Sequence, residues 1–208
     1  MLELYGFPRS RSTRALWAME EAGADYRYIK VDLGSGEARR EPFLTLNPGG
    51  KVPVLVDGDL VLTESMAICT YIGDLYPVRA LTPRCGSRER AIYNKWCSFV
   101  ITELEQPLWT IARHSFILPE DLRVPAVKDT ARYEFAAAVA VLGKMFPDGD
   151  FLLGEGFSMA DILLVQTLNW ALSAGINFED PHLQDFVARL LQREALVRAR
   201  AQEQDAGK

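Results

Sequence analysis

The stretch Asn47-Pro-Gly-Gly-Lys51-Val-Pro-Val-Leu-Val-Asp57-Gly-Asp-Leu60-Val-Leu-Thr-Glu-Ser65-Met-Ala67 reads as a loop, a strand, a tight turn, a second strand and the start of a helix. The apolar runs Val52 to Val56 and Leu60 to Leu62 flank Asp57-Gly58-Asp59, and Asp-Gly supplies the positive φ angles that a hairpin turn needs. Two antiparallel strands follow from that. Thr63-Glu64-Ser65 then opens a helical apolar pattern. Glu64 and Ser65 are therefore expected at a helix N-terminus, where amide N–H groups lack intrahelical partners and attract a carboxylate.

On the N-terminal side, Leu2 to Phe7 alternates like a strand and Pro8 ends it, because proline cannot extend a ladder. The polar loop Arg9-Ser10-Arg11-Ser12 leads into a helix from Thr13 to Glu21, with Ala15, Leu16, Met19 and Ala22 at helical spacing and Gly23 placed to terminate it. Tyr26 to Val31 forms a second strand, and Glu41 to Leu46 a short helical or irregular segment. The order βαβ followed by ββα demands one parallel pair and an antiparallel hairpin, hence a small mixed sheet in an α/β domain.

Beyond Tyr76-Pro77 no convincing strand pattern occurs. Pro77, Pro83 and Gly86 punctuate an aperiodic stretch, read as a linker over residues 78–85 between a first domain, 1–77, and an all-α domain, 86–208. The expected helices are Arg88 to Phe116 with a kink at Pro107, Val124 to Phe146, one beginning at Ser158, and a last one from Pro181 to about Arg200. Ser158-Met159-Ala160-Asp161 is a variant capping box, flanked by Phe157 and Ile162 as a hydrophobic staple. The charged end, Arg189 to Lys208, reads as a solvated face and a frayed tail.

A hydrophobic content of 49% over 208 residues is enough to fill real cores. The net charge of -5 argues against nucleic acid or an anionic membrane as a partner, since both select basic surfaces. The longest charge-free run, Ile162 to Phe178, contains Gln166, Asn169, Gly175 and Asn177 and reads as a core helix running into a turn, not a bilayer span. With no signal-peptide pattern at the start, a cytoplasmic location is expected. Cys69, Cys85 and Cys97 lie at least 12 residues apart and His114 and His182 are isolated, so neither a metal site nor a redox pair is expected.

The start Leu4-Tyr5-Gly6-Phe7-Pro8-Arg9-Ser10, the loop Asn47 to Leu55, the turn Thr63-Glu64-Ser65 and the box Ser158 to Asp161 together resemble the glutathione S-transferase superfamily, over nearly the whole chain from Met1 to about Leu191. The resemblance implies a thioredoxin-like N-terminal domain, a helical C-terminal domain and a homodimer. It implies glutathione as co-substrate without a metal, a small hydrophobic electrophile as second substrate, and a role in detoxification. Two rivals share the fold: a glutathione-dependent disulfide or peroxide reductase, and a non-catalytic ligand-binding or partner-docking module.

Glutathione carries two carboxylates, an amine and a thiol whose pKa must fall from about 8.5 before it is a good nucleophile. Ser65 with its amide is assigned to the γ-glutamyl carboxylate and Glu64 to the amine; the competing reading of Ser65 is a plain helix cap. By resemblance Val52 offers its backbone to the cysteinyl part and the Val52–Pro53 bond is cis. Lys51 is assigned to the glycyl carboxylate, against a solvated loop lysine. For thiol activation, Ser10 falls where serine-type members keep their serine and Ser12 where cysteine-type members keep a cysteine. Ser10 is placed first, Ser12 second, and Tyr5, Arg9 or Arg11 third, with an N-cap as the plainer role of one serine. The double-serine-cysteine motif of the isomerase-type class is missing, and no cysteine occupies Arg9 to Thr13. Both departures disfavour the corresponding chemistries. Trp109, Arg113 and Phe116, at i, i+4 and i+7, are candidates for the acceptor side.

Overall fold

A computed structural model describes residues 1–205. The described chain forms two compact units, one made of Met1–Arg84 together with the chain from Gln192 onward, the other of Cys85–Leu191.

The first unit is built on a four-stranded sheet in the order β2-β1-β3-β4, with β1 at Leu2–Gly6, β2 at Tyr26–Lys30, β3 at Val54–Asp57 and β4 at Leu60–Leu62. β1 pairs parallel with β2 and antiparallel with β3, and β3 pairs antiparallel with β4, the mixed sheet the element order demands. The hairpin turns at Gly58 with φ of 60°, a left-handed angle that costs glycine little. Helix α1, Ser12–Ala22, ends at Gly23 in the left-handed conformation, whose N–H reaches back to the Glu20 carbonyl. A short α2, Phe43–Leu46, and α3, Ser65–Leu75, complete the N-terminal part.

Because successive strand residues face opposite ways, β1 sends Leu2 and Leu4 into one core with Leu16, Ile68 and Ile72, while Tyr5 packs with Phe43 on the other face. That second cluster holds Val31, Ala38, Phe43 and Val54, with Val52 and Leu46 packed against it.

Two boundaries differ from the sequence reading. The stretch from Pro77 does not run free: Leu81 is buried, Thr82 covers Gly73 of α3 and donates to Asp74, and the Arg79 guanidinium donates to the Ala22 carbonyl. The expected last helix is two, α8 at Pro181–Leu190 and α9 at Glu194–Asp205 in the numbering below. α9 does not form a solvated tail of the helical half. It packs on α1 in the first unit, burying Ala195, Leu196 and Ala199. Charges add to this apolar contact: Arg193, just ahead of the helix, grips Glu21 with two hydrogen bonds, 2.5 and 2.8 Å, and Arg198 reaches Glu20 at 2.8 Å. The part of the expected frayed tail beyond residue 205 lies outside the described residues.

The second unit is helical. α4, Arg88–Phe99, and α5, Gln106–Ala112, are joined without a break by a π-helical segment at Val100–Glu105, and α5 runs into a further π-helical segment at Arg113–Ile117. Proline has no N–H and crowds the carbonyl four residues back, and the wider winding ahead of Pro107 accommodates both defects within one continuous rod. The second π-helical segment, which begins between them, takes Phe116 out of phase with Trp109: Trp109 is half-buried, whereas Phe116 is exposed. α6, Val127–Met145, packs on α5. α7, Met159–Ser173, is apolar nearly all round and buries Met159 to Val165 without interruption. The capping box is present: the Ser158 side chain takes the N–H of Asp161, and the Asp161 carboxylate accepts from the Ser158 N–H at 2.8 Å. Phe157 packs edge-on against Phe151. Among the described residues no helix is long and apolar enough to cross a membrane.

Candidate active site

Strand register places the candidate residues at one end of the first unit's sheet. Tyr5, next to the end of β1, pairs with Val54 at the start of β3, and Leu55 pairs with Leu62 at the end of β4. The loop after β1, the approach to β3 and the entry to α3 therefore leave the sheet on the same side. They carry respectively the serines, Lys51-Val52-Pro53, and Glu64-Ser65.

The two serines are not equivalent. Ser12 is fully buried and its Oγ accepts from the Phe7 N–H at 3.2 Å. Ser10 is half-buried; its Oγ accepts from the Ser12 N–H at 3.1 Å, lies 2.9 Å from Ser12 Oγ and donates to the Phe7 carbonyl at 2.7 Å. A hydroxyl has one hydrogen, so with Ser10 committed to Phe7 the hydrogen between the serines belongs to Ser12. The result is a directed chain from the Phe7 N–H through Ser12 to Ser10, in which each bond polarises the next donor. It sits at the start of α1, where the helix dipole favours negative charge. Neither serine is the N-cap, which is Arg11 and has no side-chain cap. The close fit depends on Gly6, where a Cβ would stand 2.8 Å from Ser12 Cβ and 2.7 Å from the Tyr28 ring.

Ser65 is the first residue of α3, and the N-cap position is Glu64, so the plain-cap reading of Ser65 does not apply. Glu64 is exposed and held at φ of 65°, uncommon for a residue with a Cβ, and its carbonyl accepts from the Ile68 N–H. The Ser65 hydroxyl is buried and takes a 3.3 Å hydrogen bond from Arg14, itself fully buried in α1. Sequence periodicity did not single out Arg14. Its only signal is a basic residue inside a run, Ser12 to Met19, that the structure buries throughout because α3, β1 and α9 all pack on α1.

The loop before β3 holds itself. Asn47 accepts from the Gly49 N–H at 2.9 Å and donates to the Lys51 carbonyl at 2.7 Å, and Gly50 turns with φ of 57° against the Ala38 carbonyl, where a Cβ would come to 2.7 Å. Val52–Pro53 is cis, as the resemblance implied, and so is Glu41–Pro42, which nothing in the sequence reading anticipated. Lys51 is exposed, and a second cation stands close by: Arg39 donates to the Gly49 carbonyl at 3.3 Å.

Three further groups surround the serine loop. Arg9 adopts φ of 57°. The Thr13 hydroxyl donates to Glu203 of α9 at 2.6 Å, and Glu203 is buried. Tyr28 Oη is buried with no hydrogen-bond partner among the described residues, and burial raises its pKa above the usual phenol value. Tyr5 points instead to Glu3, at 3.3 Å. The cysteines stand apart, Cys69 and Cys97 buried and Cys85 exposed.

The family profile described as "Glutathione S-transferase, N-terminal domain" matches residues 1–74, and that described as "Glutathione S-transferase, C-terminal domain" matches residues 104–194. The chain is 34% identical to a zeta class glutathione S-transferase of Euphorbia esula, over 83% of this chain and 76% of that one. Among solved structures, a glutathione transferase of Methylococcus capsulatus superposes with a TM-score of 0.87 at 30% identity, covering 98% of this chain and 99% of the other. A sphingomonad glutathione S-transferase, solved in complex with glutathione, superposes with a TM-score of 0.83 at 31% identity, covering 97% and 98%.

Proposed function

The chain belongs to the glutathione S-transferase family, and from that premise we propose that it binds glutathione across the sheet end just described and transfers it to a small hydrophobic electrophile. The amide end of α3, Ser65 and Glu64 take the γ-glutamyl group, the Val52 backbone takes the cysteinyl part, and Lys51 takes the glycyl carboxylate, with Arg39 close enough to share it.

The observation that carries the chemistry is the directed hydroxyl chain ending on Ser10. When the thiol loses its proton to solvent, Ser10 turns its hydrogen from the Phe7 carbonyl to the sulfur, and its oxygen keeps the donors from Ser12. A hydroxyl that already accepts is the stronger donor, so the thiolate is stabilised without a charged base. The sulfur lone pair then forms the carbon–sulfur bond, and the electrons of the bond that breaks leave with the displaced group. Ser12 supports Ser10 from within the core; full burial keeps it from meeting a ligand directly. Mixed-disulfide chemistry is the weaker reading, because the loop offers a hydroxyl where that reaction needs a second sulfur.

By membership of the family, the enzyme is proposed to act as a cytoplasmic homodimer in detoxification. Glutathione-dependent conjugation of a chlorodinitrobenzene-type electrophile, measured beside reduction of hydroxyethyl disulfide, tests the reading. Conjugation that exceeds reduction and falls in Ser10→Ala is expected. Reduction without conjugation would favour the reductase, and retention on glutathione-agarose without either activity would favour the binding module.

A further inference from the structure

Ser10, Arg11 and Ser12 are bracketed by two residues that converge on one carboxylate. At the far side the Thr13 hydroxyl donates to Glu203 at 2.6 Å; at the near side Arg9 lies within electrostatic reach of the same carboxylate. Glu203 belongs to α9, 190 positions from Thr13, and is buried against the loop. Arg9 stands in the left-handed region, which disfavours a residue bearing a Cβ and needs a restraint to persist.

We propose that Glu203 is a positioning residue for thiol activation: by holding Thr13 at the end of the Arg9–Ser12 loop it fixes that loop and so aims the Ser10 hydroxyl. The inference rests on the reading of Ser10 given above. The loop has little freedom on its other sides. Gly6, Ser12 and Tyr28 are in contact beneath it, and α9 is fastened at its opposite end by the Arg193–Glu21 and Arg198–Glu20 pairs, so the Glu203 carboxylate arrives at α1 on a helix gripped at two points. Burial raises the Glu203 pKa, an effect that the Thr13 hydroxyl and the charges of Arg200 and Arg9 offset only in part.

The test is a double-mutant cycle read on the pKa of enzyme-bound glutathione, followed by thiolate absorbance. Glu203→Ala is expected to raise that pKa by about one unit and to lower kcat about tenfold near neutral pH, with KM for glutathione within about twofold. Glu203→Gln, which keeps an acceptor of the same shape, is expected to recover most of the loss. In a Ser10→Ala background Glu203→Ala should add nothing to the thiol pKa, because its effect passes through Ser10. An unchanged thiol pKa in Glu203→Ala, or equal shifts with and without Ser10, would overturn the inference even if the melting temperature fell. If Glu203→Ala does not fold, Thr13→Val removes the hydroxyl donor with little change of shape and must move the pKa in the same direction. If Ser10→Ala alone leaves the thiol pKa unmoved, the Ser10 reading itself fails, an outcome distinct from failure at Glu203.

Discussion

The arc from Asn47 to Ser65, proposed to bind glutathione, and the loop from Phe7 to Arg14, proposed to activate its thiol, meet at one end of the same sheet, yet they are held differently. The arc is secured largely by its own neighbours: Asn47 ties Gly49 and Lys51, Gly58 closes the hairpin, and the Glu64 carbonyl starts α3. The loop adds ties from afar to the bonds among Phe7, Ser10 and Ser12. Its closing contact is with Glu203, its floor includes Tyr28 from the neighbouring strand, and Arg14 ties it to Ser65, 51 positions on. Binding surfaces can be written locally, whereas a hydroxyl that must meet a sulfur within a few tenths of an ångström needs restraint from several elements at once.

Arg14 is where the two regions join, and its loss should be felt most. Arg14→Ala removes a fully buried side chain and leaves the Ser65 hydroxyl without its donor, a cost of about 3 kcal/mol or more in chemical denaturation. A loss under about 1 kcal/mol would mean that arc and loop are independent.

The capping box of α7 sharpens the same contrast, because its pattern is local but its electrostatics are not. Burial outweighs the donors from Leu152 and Ser158 and pushes Asp161 up to about 6. A carboxyl whose folded pKa lies above its unfolded value contributes most below the unfolded pKa and loses that contribution as pH rises through the folded one. Relative to Asp161→Asn, the wild type should therefore lose up to about 3 kcal/mol between pH 4 and pH 7 in denaturant midpoints. A flat difference would mean that the donors cancel burial, and a gain with rising pH that they outweigh it.

The serines come next. Ser10→Ala should raise the pKa of bound glutathione by one to two units, roughly 1.4 to 2.7 kcal/mol. Ser12→Ala should mainly cost stability, about 1 kcal/mol, by stripping the Phe7 N–H of its acceptor, with the smaller thiol shift. The reverse pattern in the thiolate titration would exchange their roles.

Smallest is Asn47→Ala, which removes two local, solvent-facing bonds. It should raise KM for glutathione by a few-fold, about 1 kcal/mol, and leave kcat unchanged. A fall in kcat would show that the arc also aims the sulfur.

What was legible in the sequence follows the same division. The order of strands and helices in the first domain, Gly23, the Asp57-Gly58 turn and the Ser158 box are patterns over a few residues and appear in the structure where the sequence reading puts them. Arg14, Tyr28 and Glu203 were missed because each is defined by burial against an element far along the chain. Glu203 in particular sits among arginines and acids that resemble any solvated helix face, until α9 is seen lying on α1. The break between α8 and α9 was missed because Leu191, Gln192 and Arg193 carry no glycine or proline to announce it.

α9 gives the first unit a discontinuous chain, and that sets an order of events during synthesis. The sheet, α1 and α3 leave the ribosome first, but the surface of α1 that Leu196 and Ala199 cover must wait for the whole of Cys85–Leu191. At roughly 5–20 residues per second the interval is about 5 to 20 seconds. Through it the nascent first unit exposes apolar surface of α1 and carries a loop whose clamp has not yet been made. The loop proposed to activate the thiol is thus completed only after the helical unit has been made, so its geometry is set later than that of the sheet beneath it.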